Sequence, residues 1–104
     1  LHLTGAELMA ARGRPNLPLV AASCHDAVEL RRAADLGLDF AVLGPVKATA
    51  SHPGRPGIGW PAVGKLLERC PLPVYALGGL GREDLESARL AGAQGVAAIR
   101  GAWL

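Results

Sequence analysis

Paired glycines and an arginine stand directly after apolar, strand-like segments and could bind an anion. Gly78 and Gly79 follow the run Val74–Leu77, and Arg100 follows the run Val96–Ile99. Glycine lets backbone N–H groups turn toward a ligand, and N–H groups at the start of a helix attract phosphate. In parallel α/β folds ligands bind at the carboxyl ends of the strands. The pattern predicts a phosphate site there; the alternative is a tight turn that needs glycine for steric reasons alone.

A second group of polar residues lies in the long segment 44–59, after another strand-like run. Thr49 and Ser51 carry hydroxyl groups that could donate hydrogen bonds to an anionic substrate group, and Lys47 or His52 could neutralise that group. Connections in compact domains usually have about 4–6 residues, and much longer ones are usually functional or mobile. We expect Thr49, Ser51 and His52 to contact substrate, whereas a solvated surface position is as strong an expectation for Lys47.

The run Ser23-Cys24-His25-Asp26 contains the residue types of a catalytic triad, but contiguous residues cannot meet in triad geometry. We expect Ser23 to face the substrate from a strand end and Asp26 to cap a helix. His25 is expected at the surface or beside the site, and Cys24 has no evident partner that would activate it as a nucleophile. Glu7 is either a Mg²⁺ ligand or part of a helix capping box.

The elements that position these residues follow from the apolar pattern, in which continuous runs indicate strands covered on both faces. Besides a stub at Leu1–Leu3, four strands are predicted: Leu19–Ala22, Phe40–Leu43, Val74–Leu77 and Val96–Ile99. Two helices begin with capping-box spacing, at Thr4–Glu7 and Asp26–Glu29, and two more are predicted at Pro61–Arg69 and Arg82–Ala91. The alternating order calls for a parallel sheet with right-handed crossovers.

Five strands and their helices amount to about half of a (β/α)₈ barrel, whose usual length is about 250 residues. A free-standing half would leave both edge strands without a partner. We therefore predict that residues 1–104 form the C-terminal half of a TIM barrel, either within a longer chain or as one half of an assembly. An open five-stranded sheet is the alternative.

Composition narrows the classes of function. The 104 residues are 50% hydrophobic and 19% charged, which is typical of one globular domain. A formal net charge of +2 and an aromatic content of 4% argue against a nucleic-acid partner. No apolar run approaches the roughly 18 residues of a membrane span. Two cysteines without metal or redox spacing predict reduced thiols in a cytoplasmic protein.

In their order and spacing these motifs resemble thiamine phosphate synthase and its TenI relatives over essentially the whole chain. The matching stretches are His2–Gly5, Ala22-Ser23, Gly44–His52, Pro73–Leu80 and Gly92–Ala97. The resemblance implies a TIM barrel that acts in thiamine biosynthesis. It would join a pyrimidine pyrophosphate to a thiazole phosphate and release pyrophosphate with the help of Mg²⁺.

The resemblance also implies roles for individual residues. The thiazole phosphate would be held by four backbone N–H groups, those of Gly78, Gly79, Ile99 and Arg100. Thr49 and Ser51 would contact the thiazole carboxylate or neighbouring atoms. Ser23 would lie near the pyrophosphate and, with His52, is a candidate catalytic residue. Glu7 would be the Mg²⁺ ligand.

Three positions depart from the family's pattern. The family's pyrophosphate-binding lysine falls on His52, a weaker and pH-dependent cation, although Arg55 could supply the missing charge. The family's metal-binding aspartate falls on Glu7, which is one methylene longer. Pro45 stands where the related thiazole tautomerases carry a histidine, which argues against that activity.

The segments around Ser23 and His52 look most like a divergent domain that follows a Nudix hydrolase domain in some bacterial proteins. Those proteins act on oxidised nucleotides such as 8-oxo-dGTP. The Nudix signature is absent here, so we assign no hydrolase chemistry to this chain. The alternatives to a synthase are a non-catalytic or regulatory module of such an enzyme, or a truncated, non-functional half barrel. We expect two partners, a phosphorylated small molecule and the missing barrel half, and neither nucleic acid nor membrane.

Overall fold

The computed structural model describes residues 1–47 and 56–97. Five strands are present in this part of the chain: β1 (His2–Leu3), β2 (Ala21–Cys24), β3 (Phe40–Leu43), β4 (Val74–Leu77) and β5 (Gly95–Ala97). The helices between them are α1 (Gly5–Ala10), α2 (Ala27–Asp35), α3 (Trp60–Leu67) and α4 (Leu85–Leu90). The strands lie in the order β1-β2-β3-β4-β5 and every neighbouring pair is parallel. The predicted parallel α/β fold is confirmed.

Strand β2 begins and ends two residues later than predicted. The prediction was Leu19–Ala22, whereas the strand spans Ala21–Cys24. Its end is set by pairing with β3, where Ser23 lies opposite Val42 and the next residue is also paired. The polar side chain of Ser23 stopped the apolar run but not the strand, because backbone pairing does not depend on side-chain polarity. Ser23 therefore lies inside the strand.

The last two predicted elements also differ from the structure. The helix predicted at Arg82–Ala91 begins as a 3₁₀ turn, Arg82–Asp84, before α4 continues it to Leu90. The strand predicted at Val96–Ile99 begins one residue earlier, at Gly95, and the structure describes it to Ala97. Residues 98 and 99 of that prediction lie outside the described residues.

The described helices pack on one face of the sheet. Each strand lies beside its predecessor in the same direction, so right-handed crossovers bring every helix to the same side. A doubly wound sheet would reverse direction and carry helices on both faces. The core on the helix side is dense, and its largest fully buried side chains include Leu8, Val20, Leu43, Val63, Val74 and Val96. None of the helices in residues 1–47 and 56–97 is long and apolar enough to cross a bilayer.

The opposite face of the sheet, which we call the inner face, carries the side chains that alternate with this core. They include His2, Ser23, Phe40, Tyr75 and Leu77, none of which belongs to the buried core and all of which are at least partly exposed. The rings of Phe40 and Tyr75 meet edge to face, with centroids 5.7 Å apart. Ala21 and Val42 on the same face are buried, however, so the prediction that both faces are covered holds for the helix face and only in part for the inner face of the described residues. In a closed barrel the inner face would line the interior.

Candidate functional site

The carboxyl ends of the parallel strands share one edge of the sheet, which we call the carboxyl edge. Gly78 and Gly79 lie there, as predicted, just after the end of β4, and Ser23 lies near this edge but inside β2, one residue before its end. The other predicted substrate residues lie outside the described residues and stay predictions: Thr49, Ser51, His52, Ile99 and Arg100.

Gly78 and Gly79 both have positive φ angles, of 107° and 66°. These angles fall in the left-handed region that favours glycine. A Cβ atom on Gly78 would also lie 2.5 Å from Cα of Pro45, which leaves no room for a side chain. Sterics alone thus account for glycine at position 78, and the backbone angle accounts for it at position 79. The turn that results is also compatible with an anion at its N–H groups.

The loop after β3 is attached to the end of β4 by backbone hydrogen bonds. The N–H of Val46 donates to the carbonyl of Leu77 at 2.8 Å, and the N–H of Lys47 donates to the carbonyl of Gly78 at 3.1 Å. The far end of the same loop returns to this place, since Ile58 N donates to Pro45 O at 2.8 Å. Both ends of the long segment 44–59 are therefore fixed beside the glycine turn.

An ion pair links the same two loops. Lys47 Nζ lies 2.7 Å from Asp84 Oδ1, and Asp84 Oδ2 accepts a hydrogen bond from Gly81 N at 3.0 Å. These two hydrogen bonds, with that from Lys47 the stronger cause, hold the pKa of Asp84 below its ordinary value. Sequence reasoning assigned no role to Asp84. Its position three residues after Gly81, in the first turn of a helix, is a capping spacing that could have revealed it.

Ser23 forms a hydrogen bond across the inner face that sequence reasoning did not foresee. Its Oγ lies 2.6 Å from Nε2 of His2. The register pairs His2 with Ala21, so Ser23 is two residues farther along the next strand and its side chain points to the same face. His2 belonged to a recognised motif but was given no role, because its neighbour is 21 residues away in sequence.

Glu7 completes the capping box of α1. Its backbone N–H donates to Thr4 Oγ1 at 3.1 Å, and its Oε1 accepts from Thr4 N at 2.9 Å. Hydrogen bonding to the backbone N–H of Thr4 first, and then to its hydroxyl, lowers the pKa of the Glu7 carboxyl, so the group is a carboxylate at neutral pH. Among residues 1–47 and 56–97 no cluster of three or more His, Cys, Asp or Glu could hold a metal. Since Mg²⁺ commonly takes one or two carboxylates plus substrate phosphates, Glu7 fits only as one ligand of a site shared with substrate.

The remaining residues of the Ser-Cys-His-Asp run cap a helix, contact that helix from the surface, or are buried in the core. Asp26 caps α2, as predicted, by accepting from Glu29 N at 2.9 Å. The expected reciprocal bond of a capping box is replaced, because Glu29 Oε1 accepts from the backbone and ring nitrogens of His25 at 2.7 and 2.9 Å. His25 is exposed, as predicted. Cys24 is buried, and burial raises the pKa of its thiol to about 12, which makes it a poor nucleophile.

Comparison with known proteins shows which protein family the chain is similar to. The family model described as thiamine monophosphate synthase matches residues 1–102. A thiamine-phosphate synthase of Gloeobacter violaceus is 36% identical over 104 residues, covering 96% of this chain and 30% of that protein. One from Thermobifida fusca is 36% identical over 106 residues, covering 96% of this chain and 48% of that protein.

A solved structure agrees with these relatives. The thiamine phosphate pyrophosphorylase from Pyrococcus furiosus matches with a TM-score of 0.68 at 25% identity. The match covers 94% of this chain and 47% of that one. The chain therefore spans about half of that structure, and between about a third and a half of the two synthases.

Proposed function

This chain belongs to the thiamine monophosphate synthase family, and from that premise we propose that it binds a phosphorylated small molecule at its carboxyl edge. The reaction we propose for the completed barrel is the coupling of a pyrimidine pyrophosphate to a thiazole phosphate. The observation that carries the proposal is the turn at Gly78 and Gly79, two successive residues of positive φ that lie beside the β3 loop at the end of β4. Main-chain amides arranged in this way favour phosphate.

In the proposed reaction the C–O bond between the pyrimidine methylene and pyrophosphate breaks, and a C–N bond to the thiazole nitrogen forms. The pyrophosphate leaves with the electron pair of the broken bond, so the protein must stabilise that negative charge. We assign this task in part to the hydroxyl of Ser23, oriented by its hydrogen bond to His2. By resemblance, Thr49, Ser51 and His52 would contribute further contacts.

The second substrate would be held at the glycine turn. Backbone N–H groups of Gly78 and Gly79 would bind the thiazole phosphate, and by resemblance those of Ile99 and Arg100 would join them. By resemblance, Glu7 would hold Mg²⁺ through its carboxylate. When bound, Mg²⁺ supplies charge that stabilises the departing pyrophosphate.

The inner face is the basis for the partner that we propose. Phe40, Tyr75 and Leu77 stay partly exposed there, whereas the helix face is buried. We propose that further strands of the same fold close over these residues, from the same polypeptide or from a second copy of this chain. Sedimentation velocity tests the need for such a partner. A well-folded monomer of this chain that melts cooperatively would contradict the proposal.

The phosphate site can be tested with two matched glycine variants. Gly79 and Gly37 have nearly the same φ, 66° and 72°, but Gly37 ends α2 at the amino edge of the sheet with open space around it. Both Gly79→Val and Gly37→Val introduce strain at positive φ, so we expect both to lower the melting temperature. Calorimetric titration with thiazole phosphate should show binding to wild type and to Gly37→Val, and none to Gly79→Val. Wild-type affinity in Gly79→Val would remove the phosphate site.

Turnover separates a synthase from a binding module. His52, outside the described residues, stands where the family has lysine. If the completed protein is a synthase, His52→Lys should preserve or raise the rate of thiamine phosphate formation, because a permanent cation binds pyrophosphate at every pH. A non-catalytic or regulatory module, such as one attached to a Nudix enzyme, would show binding but no turnover with either residue.

A further inference from the structure

Lys47 and Asp84 connect two loops at the carboxyl edge that belong to different strands. Lys47 lies in the loop after β3, and Asp84 ends the 3₁₀ turn that follows β4. Their charged atoms are 2.7 Å apart although the residues are 37 positions apart in sequence. Among the described residues Asp84 is the buried charged residue, with 6% of its surface exposed. Burial of a carboxylate is unfavourable unless it is paired, so the contact requires an explanation.

The contacts of Lys47 reach both ends of the turn 78–81. Its backbone N–H donates to the carbonyl of Gly78 at the start of the turn. Its ammonium group binds Asp84, whose second oxygen accepts from Gly81 N at the end of the turn. One residue of the β3 loop therefore determines where the turn begins and, through Asp84, where it ends.

The pair also determines the charge beside the turn. The hydrogen bonds that lower the pKa of Asp84 keep it ionised at neutral pH. A bare carboxylate next to a turn that binds a phosphate dianion would repel the ligand. The ammonium group of Lys47 neutralises that carboxylate, and about half of its side chain remains exposed to solvent.

We propose that Lys47 and Asp84 are a positioning pair for the phosphate-binding turn: together they hold residues 78–81 in place and remove the negative charge that would oppose the ligand. The inference rests on the proposed function, because it assigns the pair a role in phosphate binding at the same turn. Neither residue needs to touch the phosphate.

The test compares the affinity of five forms of the chain for thiazole phosphate and for the unphosphorylated thiazole alcohol. Lys47→Met should weaken thiazole phosphate binding by roughly tenfold or more. The variant loses the hydrogen bond between the Lys47 ammonium and the Asp84 carboxylate and leaves that carboxylate without a neutralising charge. Lys47→Arg should retain binding because the positive charge is kept. Lys65→Met, on the exposed side of α3, removes the same charge and is the matched control with unchanged affinity.

The double variant Lys47→Met, Asp84→Asn separates the effect of the negative charge on Asp84 from the loss of the Lys47 side chain. It removes the bare carboxylate but leaves an amide oxygen that can still accept from Gly81 N. We expect it to recover most of the affinity lost in Lys47→Met. Binding of the neutral alcohol should be the same in all forms, whereas collapse of the whole site would weaken both ligands together.

The possible outcomes are distinguishable. Wild type that does not bind thiazole phosphate overturns the proposed function, and this inference with it. Wild-type binding with unchanged affinity in Lys47→Met overturns the positioning role alone. Parallel loss of both ligands also overturns that role, because the pair would then act on general stability. No recovery in the double variant overturns the part of the proposal that concerns charge, because the bare carboxylate would then not be what opposes the ligand.

Discussion

Two aspartates at opposite edges of the sheet make the same kinds of contact, each with one cationic side chain and one backbone N–H, but differ in their exposure to solvent. Asp84, at the carboxyl edge, binds the ammonium of Lys47 and one backbone N–H. Asp39, at the amino edge before β3, binds the guanidinium of Arg14 at 2.9 Å and one backbone N–H at 2.6 Å. The side chain of Asp84 is 8% exposed, however, and that of Asp39 is 35% exposed.

The difference shows how position determines what an ion pair does. Arg14 also donates to two carbonyls, those of Leu17 and Gly37. The amino-edge pair therefore connects the loop before β2 to the loop that follows α2. Both members of this pair are partly exposed, and ion pairs that solvent reaches contribute little and are screened by salt. In the other pair the carboxylate of Asp84 is buried while Lys47 is half exposed, and the pair lies beside a glycine turn at the edge where barrels bind ligands. We therefore expect changes at the amino edge to affect stability alone, and changes at the carboxyl edge to affect binding as well.

The largest expected effect compares glycines at the two edges. Gly78 and Gly92 have φ angles of 107° and 102°, but a Cβ on Gly92 would meet only the side chain of Leu67, at 3.3 Å. Gly92→Ala should cost about 1–2 kcal/mol of unfolding free energy, from backbone strain. Gly78→Ala should cost about 3–5 kcal/mol, because the new Cβ also overlaps Pro45. Urea denaturation measures both, and equal costs would show that the loop contact at the carboxyl edge is loose.

Acid should weaken both aspartate pairs. Lys47 first, and then a backbone N–H, lower the pKa of Asp84; Val20 N first, and then Arg14, lower that of Asp39. A depressed carboxylate pKa stabilises the fold above the ordinary value of 3.8 and loses that contribution as pH falls through the lowered pKa. Melting temperature should therefore fall below about pH 4.

Two variants show how much each edge of the sheet contributes to the fall of the melting temperature in acid. Asp39→Asn and Asp84→Asn should each flatten the profile of melting temperature against pH, since each removes one titrating carboxylate. At neutral pH, Asp39→Asn should leave the affinity for thiazole phosphate unchanged, whereas Asp84→Asn should alter it. A change of affinity in Asp39→Asn would mean that the two edges are not independent.

A smaller effect is expected on the inner face. Ser23→Ala removes the hydrogen bond to His2 from a partly exposed position, so stability should change by no more than about 0.5 kcal/mol. Affinity for pyrophosphate should fall by roughly threefold to tenfold. Ser87→Ala, the same chemical change on the exposed side of α4, is the control that should alter neither. Unchanged pyrophosphate affinity in Ser23→Ala would remove Ser23 from the site.

The last prediction concerns the reactivity of the two thiols and involves no change in stability or binding. Cys24 is buried with a pKa raised to about 12, whereas Cys70 is partly exposed. A thiol reagent at neutral pH should therefore modify Cys70 in the folded protein and reach Cys24 only after denaturation. Mass spectrometry after a short exposure identifies the labelled residue. Rapid labelling of Cys24 would show that β2 opens easily.

Much of the fold could be predicted because it depends on local pattern. The bounds of β3 and β4 agree with their apolar runs, and the caps at Thr4 and Asp26 follow from residue type and spacing. The end of β2 could not be predicted, because it depends on pairing with a neighbour rather than on polarity. The same limit applies to His2, whose partner Ser23 lies on another strand.

By itself the sequence determined the order of strands and helices, the parallel sheet and the glycines at the end of β4. These features follow from periodicity and from backbone angles that glycine alone adopts freely. Only the tertiary structure decided that Lys47 meets Asp84 and that Pro45 packs against Gly78. Those contacts join separate loops, and their geometry depends on how adjacent strands twist and align, which no local pattern encodes.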